Sequence, residues 1–178
     1  MQKTFLSLLF FYSSFTLALS QSVHYSDSIS VKFFMLDECR ICQNYGPEFK
    51  KYYHEYASDT IDFIGYFPNF SSKKQNIDKF KKTFSIPFKL KTDYFKTQSK
   101  KFNADILPTV VVYDEKKEII LYAGRIDDRY HKVGQQKRVI TSYDLRNALD
   151  SIIADKPINV KNTQPIGCFI NFADNISN

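Results

Sequence analysis

The chain has 178 residues, 43% of them hydrophobic, which is enough for one compact domain with a hydrophobic core. Glycine and proline are few, at 5 and 6, beside 17 phenylalanines and 12 tyrosines, so the composition excludes a disordered low-complexity chain. The formal net charge is +6, but the basic residues are scattered and form no stripe interleaved with aromatic residues, so we expect no nucleic-acid binding.

The first twenty residues have the pattern of a secretory signal peptide. Lys3 precedes an apolar run over residues 5–19, and small residues follow where a signal peptidase would cleave. We expect cleavage after Ser20 and an exported, periplasmic protein without stable membrane insertion, because no later apolar run is long enough to span a bilayer. An uncleaved membrane anchor and secretion from the cell are the alternatives.

The residues that follow alternate between strand and helix patterns. A hydrophobic run over 31–36 predicts a buried strand, and from Cys39 to Tyr56 apolar residues recur every three or four positions, as in a helix. The same rules predict a strand over 60–67, a helix over 73–84, a strand over 88–91 and a short helix over 94–102. This order is typical of a parallel sheet with helices on its faces.

The second half of the chain predicts an antiparallel hairpin and a final helix. The hairpin has strands over 109–113 and 118–122, joined by a short polar turn. Residues 125–138 are charged and lack periodicity, which indicates a loop. Thr141 and Asp144 then fit a capping box for the helix that follows.

We therefore predict an α/β fold with a central mixed β-sheet flanked by helices on both faces. Residues 1–20 form the signal peptide, residues 21–160 the folded domain, and residues 161–178 a C-terminal tail that carries Cys168. The chain has three cysteines, and this odd number argues against a purely structural disulfide framework.

Cys39 and Cys42 stand where the first strand passes into the first helix. There the Cys39 sulfur would face free amide hydrogens and the positive end of the helix dipole, which lower a cysteine pKa from about 8.5 to roughly 3.5–7.5. We expect Arg40 to favour the thiolate and Asp37 and Glu38 to oppose it. Cys39 is the predicted attacking thiol, and Cys42, one turn deeper, the resolving thiol of a thiol-disulfide exchange site.

Two other readings of the cysteine pair are half of a zinc site and a structural disulfide. Zinc needs a second pair of cysteine or histidine ligands, but His24, His54 and His131 are isolated in the sequence. We therefore predict no metal site. Thiol-disulfide exchange uses the cysteine sulfurs themselves, so no bound cofactor is predicted either.

The pair, with Pro47 five residues after Cys42, resembles the active-site helix of the thioredoxin-like redoxins, and specifically an exported peroxiredoxin-like branch. Leu107, Pro108 and Thr109 resemble the cis-proline segment of that family. The resemblance implies a thioredoxin-like fold in which this segment packs against the active cysteines and binds substrate. It also implies that the backbone before Pro108 is free to pair with an extended substrate polypeptide.

The segments 122–128 and 164–170 are also similar to peroxiredoxin-like redoxins. Cys168, in the second of them, is either a third redox thiol that exchanges with the cysteine pair or a small buried residue. A true peroxiredoxin has proline seven residues and threonine or serine three residues before its reactive cysteine. This chain has Lys32 and Leu36 there, which argues against peroxide chemistry.

The sequence thus predicts an enzyme, a thiol-disulfide oxidoreductase of the cell envelope. Its expected partners are proteins with disulfides or thiols and an upstream redox protein that restores its own state. The alternative is a module of the same fold that carries copper, with His131 as a further ligand, or that holds client proteins. A weak thiol peroxidase is the lesser alternative.

Overall fold

The computed structural model of the protein describes residues 23–173. The predicted signal peptide, its cleavage after Ser20 and the last five residues of the chain lie outside the described residues. No helix between residues 23 and 173 is long and apolar enough to cross a membrane.

The described part of the chain folds into short strands and helices that include the predicted elements in the predicted order, together with four short strands that the sequence pattern did not predict. The strands are β1 (Ile29–Phe34), β2 (Ile61–Phe67), β3 (Lys89–Thr92), β4 (Ile106–Leu107), β5 (Thr109–Asp114), β6 (Ile119–Gly124), β7 (Tyr130–Lys132), β8 (Gln135–Gln136) and β9 (Cys168–Phe169). The helices are α1 (Arg40–Asn44), α2 (Gly46–Tyr56), α3 (Lys74–Thr83), α4 (Thr97–Lys101) and α5 (Asp144–Ile153).

The central sheet has the strand order β3-β2-β1-β5-β6. The first three strands of the chain run parallel, whereas β5 is antiparallel to β1 and forms a hairpin with β6. The predicted α/β fold with a mixed sheet flanked by helices is therefore confirmed. Because β1 lies at the centre of the sheet, all six of its residues are buried.

Neighbouring side chains on β1 point to opposite faces of the sheet and hold the helices on both sides. The Phe33 ring packs 4.8 Å from the Phe49 ring of α2 and 5.8 Å from the Phe88 ring. The Phe34 ring faces the other way and lies 6.3 Å from the ring of Phe102, the residue that ends α4. The apolar run that predicted β1 thus anchors both helical layers.

The single helix predicted from Cys39 to Tyr56 is divided into α1 and α2, which meet at Tyr45. Pro47 lies in the first turn of α2, where the amide hydrogen that proline lacks would have no partner in the helix. A Cβ on Gly46 would lie 2.1 Å from the Phe84 ring, so only glycine allows that ring to cover the junction.

The prediction of a loop over 125–138 is wrong where β7 and β8 form a small hairpin. Before this hairpin, Asp127 and Asp128 are buried, with exposures of 4% and 3%. The Asp128 carboxylate accepts hydrogen bonds from the Thr141 and Ser142 amides, at 2.9 and 3.0 Å. These backbone donors stabilise a buried charge that the sequence pattern alone does not reveal.

The predicted capping box at the start of α5 does not form. Tyr143 is the residue before the helix, and no side chain caps the first turn. The Thr141 hydroxyl instead donates to Asp128, and the Ser142 hydroxyl donates to Asp144 at 2.6 Å. Asp128 is a charged acceptor, and hydrogen bonds to a carboxylate are stronger than bonds between neutral groups.

The C-terminal segment returns from α5 and crosses the domain. It first runs beside β6, where Ala123 bonds through its amide to Lys161 and through its carbonyl to Thr163, at 2.9 and 3.0 Å. Further along, β9 pairs antiparallel with β4. The Ile170 amide then donates to the Asp105 carbonyl at 2.8 Å. Residues 161–173 are therefore packed onto the domain by backbone hydrogen bonds.

We expect Phe33→Ala to lower the free energy of unfolding by about 3–5 kcal/mol, because the ring is fully buried between α2 and the sheet. Urea denaturation of both proteins measures the difference. The matched control is Phe95→Ala, since the Phe95 side chain is 75% exposed and its loss should change the free energy by less than about 0.5 kcal/mol. Equal effects of the two variants would contradict this account of the core.

Candidate active site

The two predicted redox cysteines lie at the junction of β1 and α1. Cys39 is the last residue before α1 and has extended backbone, with φ −74° and ψ 116°. Cys42 is a residue of α1, on its buried side. Both are buried, with exposures of 2% and 0%, and neither is in a disulfide.

Hydrogen bonds lower the pKa of the Cys39 thiol to about 5. The largest contribution comes from the Cys42 thiol, a further one from the Cys168 thiol, and smaller ones from the amides of Cys42 and Ile41, while burial opposes them. Arg40 is exposed and is not needed for this shift. Donors that converge on the sulfur therefore favour the thiolate, and they include amides of α1, as the sequence predicted, together with two thiols that it did not predict.

The pKa of the other thiol of the pair, Cys42, is raised rather than lowered. Burial raises the pKa of Cys42 above its ordinary value, and the hydrogen bond that it donates to Cys39 raises it further. The Leu36 amide lies 3.4 Å from the Cys42 sulfur and donates to it. At neutral pH the pair therefore consists of a Cys39 thiolate and a Cys42 thiol.

The Leu107-Pro108-Thr109 segment lies directly beside this pair. The peptide bond between Leu107 and Pro108 is cis, as the resemblance implied. The Leu107 carbonyl oxygen is 3.8 Å from the Cys39 sulfur and accepts a hydrogen bond from it when the thiol is protonated. The Thr109 hydroxyl donates to the Ile106 carbonyl at 2.6 Å, so this side chain holds the turn of the segment.

The backbone before Pro108 is not free, which differs from the expectation in the sequence analysis. Leu107 pairs with Cys168, and Ile106 pairs with Phe169, as β4 and β9. The Cys168 thiol is half-buried and lies within hydrogen-bonding reach of the Cys39 sulfur. Burial raises its pKa to about 12, and the bond to the Cys39 thiolate adds to the shift. All three cysteines of the chain thus converge on one site.

A buried polar cluster beside the active-site helices was missed by the sequence analysis. The Tyr45 hydroxyl donates to Asp127 at 2.5 Å, and burial raises the pKa of that carboxyl. The Arg129 guanidinium lies 4.8 Å from the centre of the Tyr45 ring and pairs with Glu48. The adjacent acids at 127 and 128, which follow β6 by three residues, are a signal in the sequence for this cluster.

The residues expected for a copper site are not gathered together. Between residues 23 and 173, no group of three or more histidine, cysteine, aspartate and glutamate side chains has an arrangement that could hold a metal ion. His131 is an exposed residue of β7, whereas Cys39 and Cys42 are buried at the end of β1.

Comparison with known proteins identifies the family and the fold. A model of the AhpC/TSA family matches residues 8–122. An uncharacterized conserved protein from Geobacillus kaustophilus is similar in structure, with a TM-score of 0.73 and 22% identity over 84% of this chain and 80% of that chain. A hypothetical protein from Sinorhizobium meliloti has a TM-score of 0.72 and 21% identity over 84% and 82%. No curated protein matches the chain.

A thioredoxin-like protein, whose solution structure is that of its oxidized form, has a TM-score of 0.54 and 12% identity. The similarity extends over 74% of this chain and 82% of that chain. At these identities the likeness shows a thioredoxin-like fold. Together with the match of the AhpC/TSA family model to residues 8–122, this fold confirms the predicted membership of the thioredoxin-like redoxins.

We expect the Cys39 thiolate to titrate with a midpoint near pH 5, since Cys42 and Cys168 donate hydrogen bonds to it. The pH dependence of alkylation at Cys39, read by mass spectrometry of the modified peptide, measures this midpoint. Cys42→Ala should raise the midpoint more than Cys168→Ala, because the Cys42 bond makes the larger contribution. A midpoint in the unsubstituted protein near the ordinary value of about 8.5 would contradict this electrostatic account.

Proposed function

The chain belongs to the AhpC/TSA family, and we propose that it is a thiol-disulfide oxidoreductase that acts on protein disulfides through Cys39 and Cys42. The observation that carries the proposal is the buried Cys39 sulfur, which accepts a hydrogen bond from the Cys42 thiol and has a pKa of about 5. A thiolate is the nucleophile of disulfide exchange, and a second thiol in contact with it completes the reaction.

In the first step the Cys39 thiolate attacks one sulfur of the substrate disulfide. A bond forms between Cys39 and that sulfur, the substrate disulfide breaks, and the other substrate sulfur leaves as a thiolate that takes a proton from solvent. Cys39 then carries no charge. The contribution of its negative charge to the high pKa of Cys42 is thereby lost, so Cys42 becomes easier to deprotonate.

In the second step the Cys42 thiolate attacks the Cys39 sulfur of the mixed disulfide. The bond between Cys39 and Cys42 forms, the bond between Cys39 and the substrate breaks, and the second substrate sulfur leaves as a thiolate that takes up the proton lost by Cys42. The substrate has gained two electrons, which the cysteine pair has lost. An upstream redox protein restores the pair, and the same steps in reverse oxidise a dithiol substrate.

The Leu107-Pro108-Thr109 segment is the proposed substrate-binding element. Its support is that the Leu107 carbonyl oxygen lies 3.8 Å from the Cys39 sulfur. An extended polypeptide paired with this backbone would therefore lie against the nucleophile. Access requires movement of β9, because β9 now pairs with this backbone.

Export to the periplasm is proposed from the signal-like pattern of residues 1–20 alone.

Thiol peroxidase activity is a second candidate, which the match to the AhpC/TSA family favours. The residues around Cys39 argue against it. Lys32, at the position of the peroxiredoxin proline, is buried and pairs with Glu115 at 2.6 Å. Leu36, at the position of the threonine or serine, offers no hydroxyl to a peroxide. Peroxide-dependent formation of a sulfenic acid at Cys39, faster than disulfide exchange, would favour this candidate.

We expect the purified protein to accelerate the reduction of insulin by dithiothreitol, because the Cys39 thiolate attacks protein disulfides at neutral pH. Cys39→Ser should reduce the rate to that of dithiothreitol alone, since a serine hydroxyl is not ionised at this pH. The turbidity of reduced insulin gives the rate. A Cys39→Ser protein as active as the original would refute the proposed role of Cys39.

We also expect the Cys39–Cys42 couple to have a reduction potential between about −270 mV, as in thioredoxin, and about −120 mV, as in the oxidant DsbA. The stabilised thiolate favours the reduced form, and a pKa of about 5 lies between the roughly 3.5 and 7 of those two proteins. Equilibration with glutathione buffers, followed by alkylation, measures the potential. A potential below that of thioredoxin would show that burial of the two sulfurs, rather than hydrogen bonding to Cys39, controls the reduction potential of the couple.

A further inference from the structure

The C-terminal tail occupies the backbone edge where a substrate strand is proposed to bind. Cys168 lies opposite Leu107 and Phe169 lies opposite Ile106 in an antiparallel pair. Downstream, the Ile170 amide donates to the Asp105 carbonyl at 2.8 Å, so pairing continues along the edge. The tail therefore meets the edge as a strand, in the way that an extended polypeptide would.

The approach of the tail depends on Gly167. A Cβ at this position would lie 1.7 Å from the Leu107 carbonyl oxygen and 2.6 Å from its carbon. Both atoms belong to the backbone and cannot rotate away. A larger residue at 167 would therefore push the tail away from the cis-proline segment, whereas glycine allows close contact.

The tail is also fixed on both sides of the paired residues. Before them, the Thr163 hydroxyl accepts the Arg125 amide at 3.0 Å. After them, the Asn69 side chain accepts the Asn171 amide at 3.0 Å and donates to the Phe169 carbonyl at 3.3 Å. These contacts hold the intervening Cys168 in register with Leu107, beside the Cys39 sulfur.

We propose that the tail is a built-in substrate strand of the active site and that Cys168 exchanges a disulfide with Cys39. This inference rests on the proposed function, because it requires Cys39 to attack disulfides. It goes beyond that function in identifying a segment of this chain as the first occupant of the substrate edge. Cys168 is the most exposed of the three sulfurs, so the tail carries the disulfide toward the surface.

The exchange involves no net oxidation. Starting from the Cys39–Cys42 disulfide, Cys168 gives its proton to solvent and its thiolate attacks the Cys39 sulfur. The Cys39–Cys168 bond forms, the Cys39–Cys42 bond breaks, and Cys42 leaves as a thiolate that takes up a proton. Starting from a mixed disulfide between Cys39 and a substrate, the tail first returns to the edge that the substrate strand has left, and the same attack then breaks the bond between Cys39 and the substrate and releases the substrate sulfur as a thiolate that takes up a proton. In both oxidised forms Cys39 bears no charge, which removes one cause of the high Cys168 pKa.

The test uses the full chain with Cys42→Ser, so that only Cys168 can resolve an adduct on Cys39. One equivalent of Ellman's reagent is added, and released thionitrobenzoate is followed by absorbance. We expect a first release as Cys39 is modified and a second, concentration-independent release as the Cys39–Cys168 disulfide forms. Peptide mass spectrometry then identifies the linked cysteines. The chain with Cys42→Ser and Cys168→Ser should stop at the first release and keep the adduct.

A second comparison tests whether docking of the tail delivers the thiol. In the Cys42→Ser background, Gly167→Val should slow the second release by at least about tenfold, because an undocked tail has a lower effective concentration at Cys39. Val160→Ala is the control, since that side chain is 53% exposed and lies before the tail, and should leave the rate unchanged. Equal rates for Gly167→Val and Val160→Ala would overturn the role of docking.

The outcomes separate the two proposals. If Cys39 does not react with the reagent at all, the proposed function fails. If Cys39 is modified but the adduct persists in the Cys42→Ser protein, the proposed function stands and the role of Cys168 is refuted. Formation of the Cys39–Cys168 disulfide in the Cys42→Ser protein supports both.

Discussion

The antiparallel register between β1 and β5, in which Phe34 lies opposite Thr109, brings the end of one strand to the beginning of the other. Cys39 follows the first of these residues and Pro108 precedes the second. Two segments almost seventy positions apart in the chain therefore meet at one edge of the sheet, with the Cys39 sulfur 3.8 Å from the Leu107 carbonyl oxygen. This register depends on burial of both faces of β1, because a shift by one residue would exchange the faces of Phe33 and Phe34.

The chemistry of the site follows from how burial and hydrogen bonding are divided among three sulfurs. All three lose solvent, which by itself disfavours the thiolate at each. At Cys39 the hydrogen bonds from the other two thiols and from the beginning of α1 outweigh that cost. The same hydrogen bonds raise the pKa of the two donor thiols, Cys42 and Cys168. A single ionised sulfur among three is therefore a property of the group, and a change at one cysteine alters the other two.

The surroundings of the site show how tertiary contacts change the meaning of a charged segment. The residues after β6 have the composition of a surface loop, yet Asp127 receives the Tyr45 hydroxyl and Asp128 receives backbone amides. Arg129 reaches the side of α2 and pairs with Glu48. These buried polar contacts connect the loop to the junction of α1 and α2. The loop thus packs against both helices of the candidate site.

The sequence by itself determined the order of the main elements, the mixed sheet and the Cys39–Cys42 pair at the end of the first strand, because hydrophobic period and motif spacing are local properties. The resemblance implied that the segment at Pro108 lies beside that pair, and only the tertiary structure decided what else surrounds it. The pairing of Cys168 with Leu107, the burial of Asp127 and the loss of the capping box at Thr141 all depend on residues distant in the chain. Local patterns carry no information on such contacts, since the partner of a hydrogen bond is chosen by the packing of the whole domain.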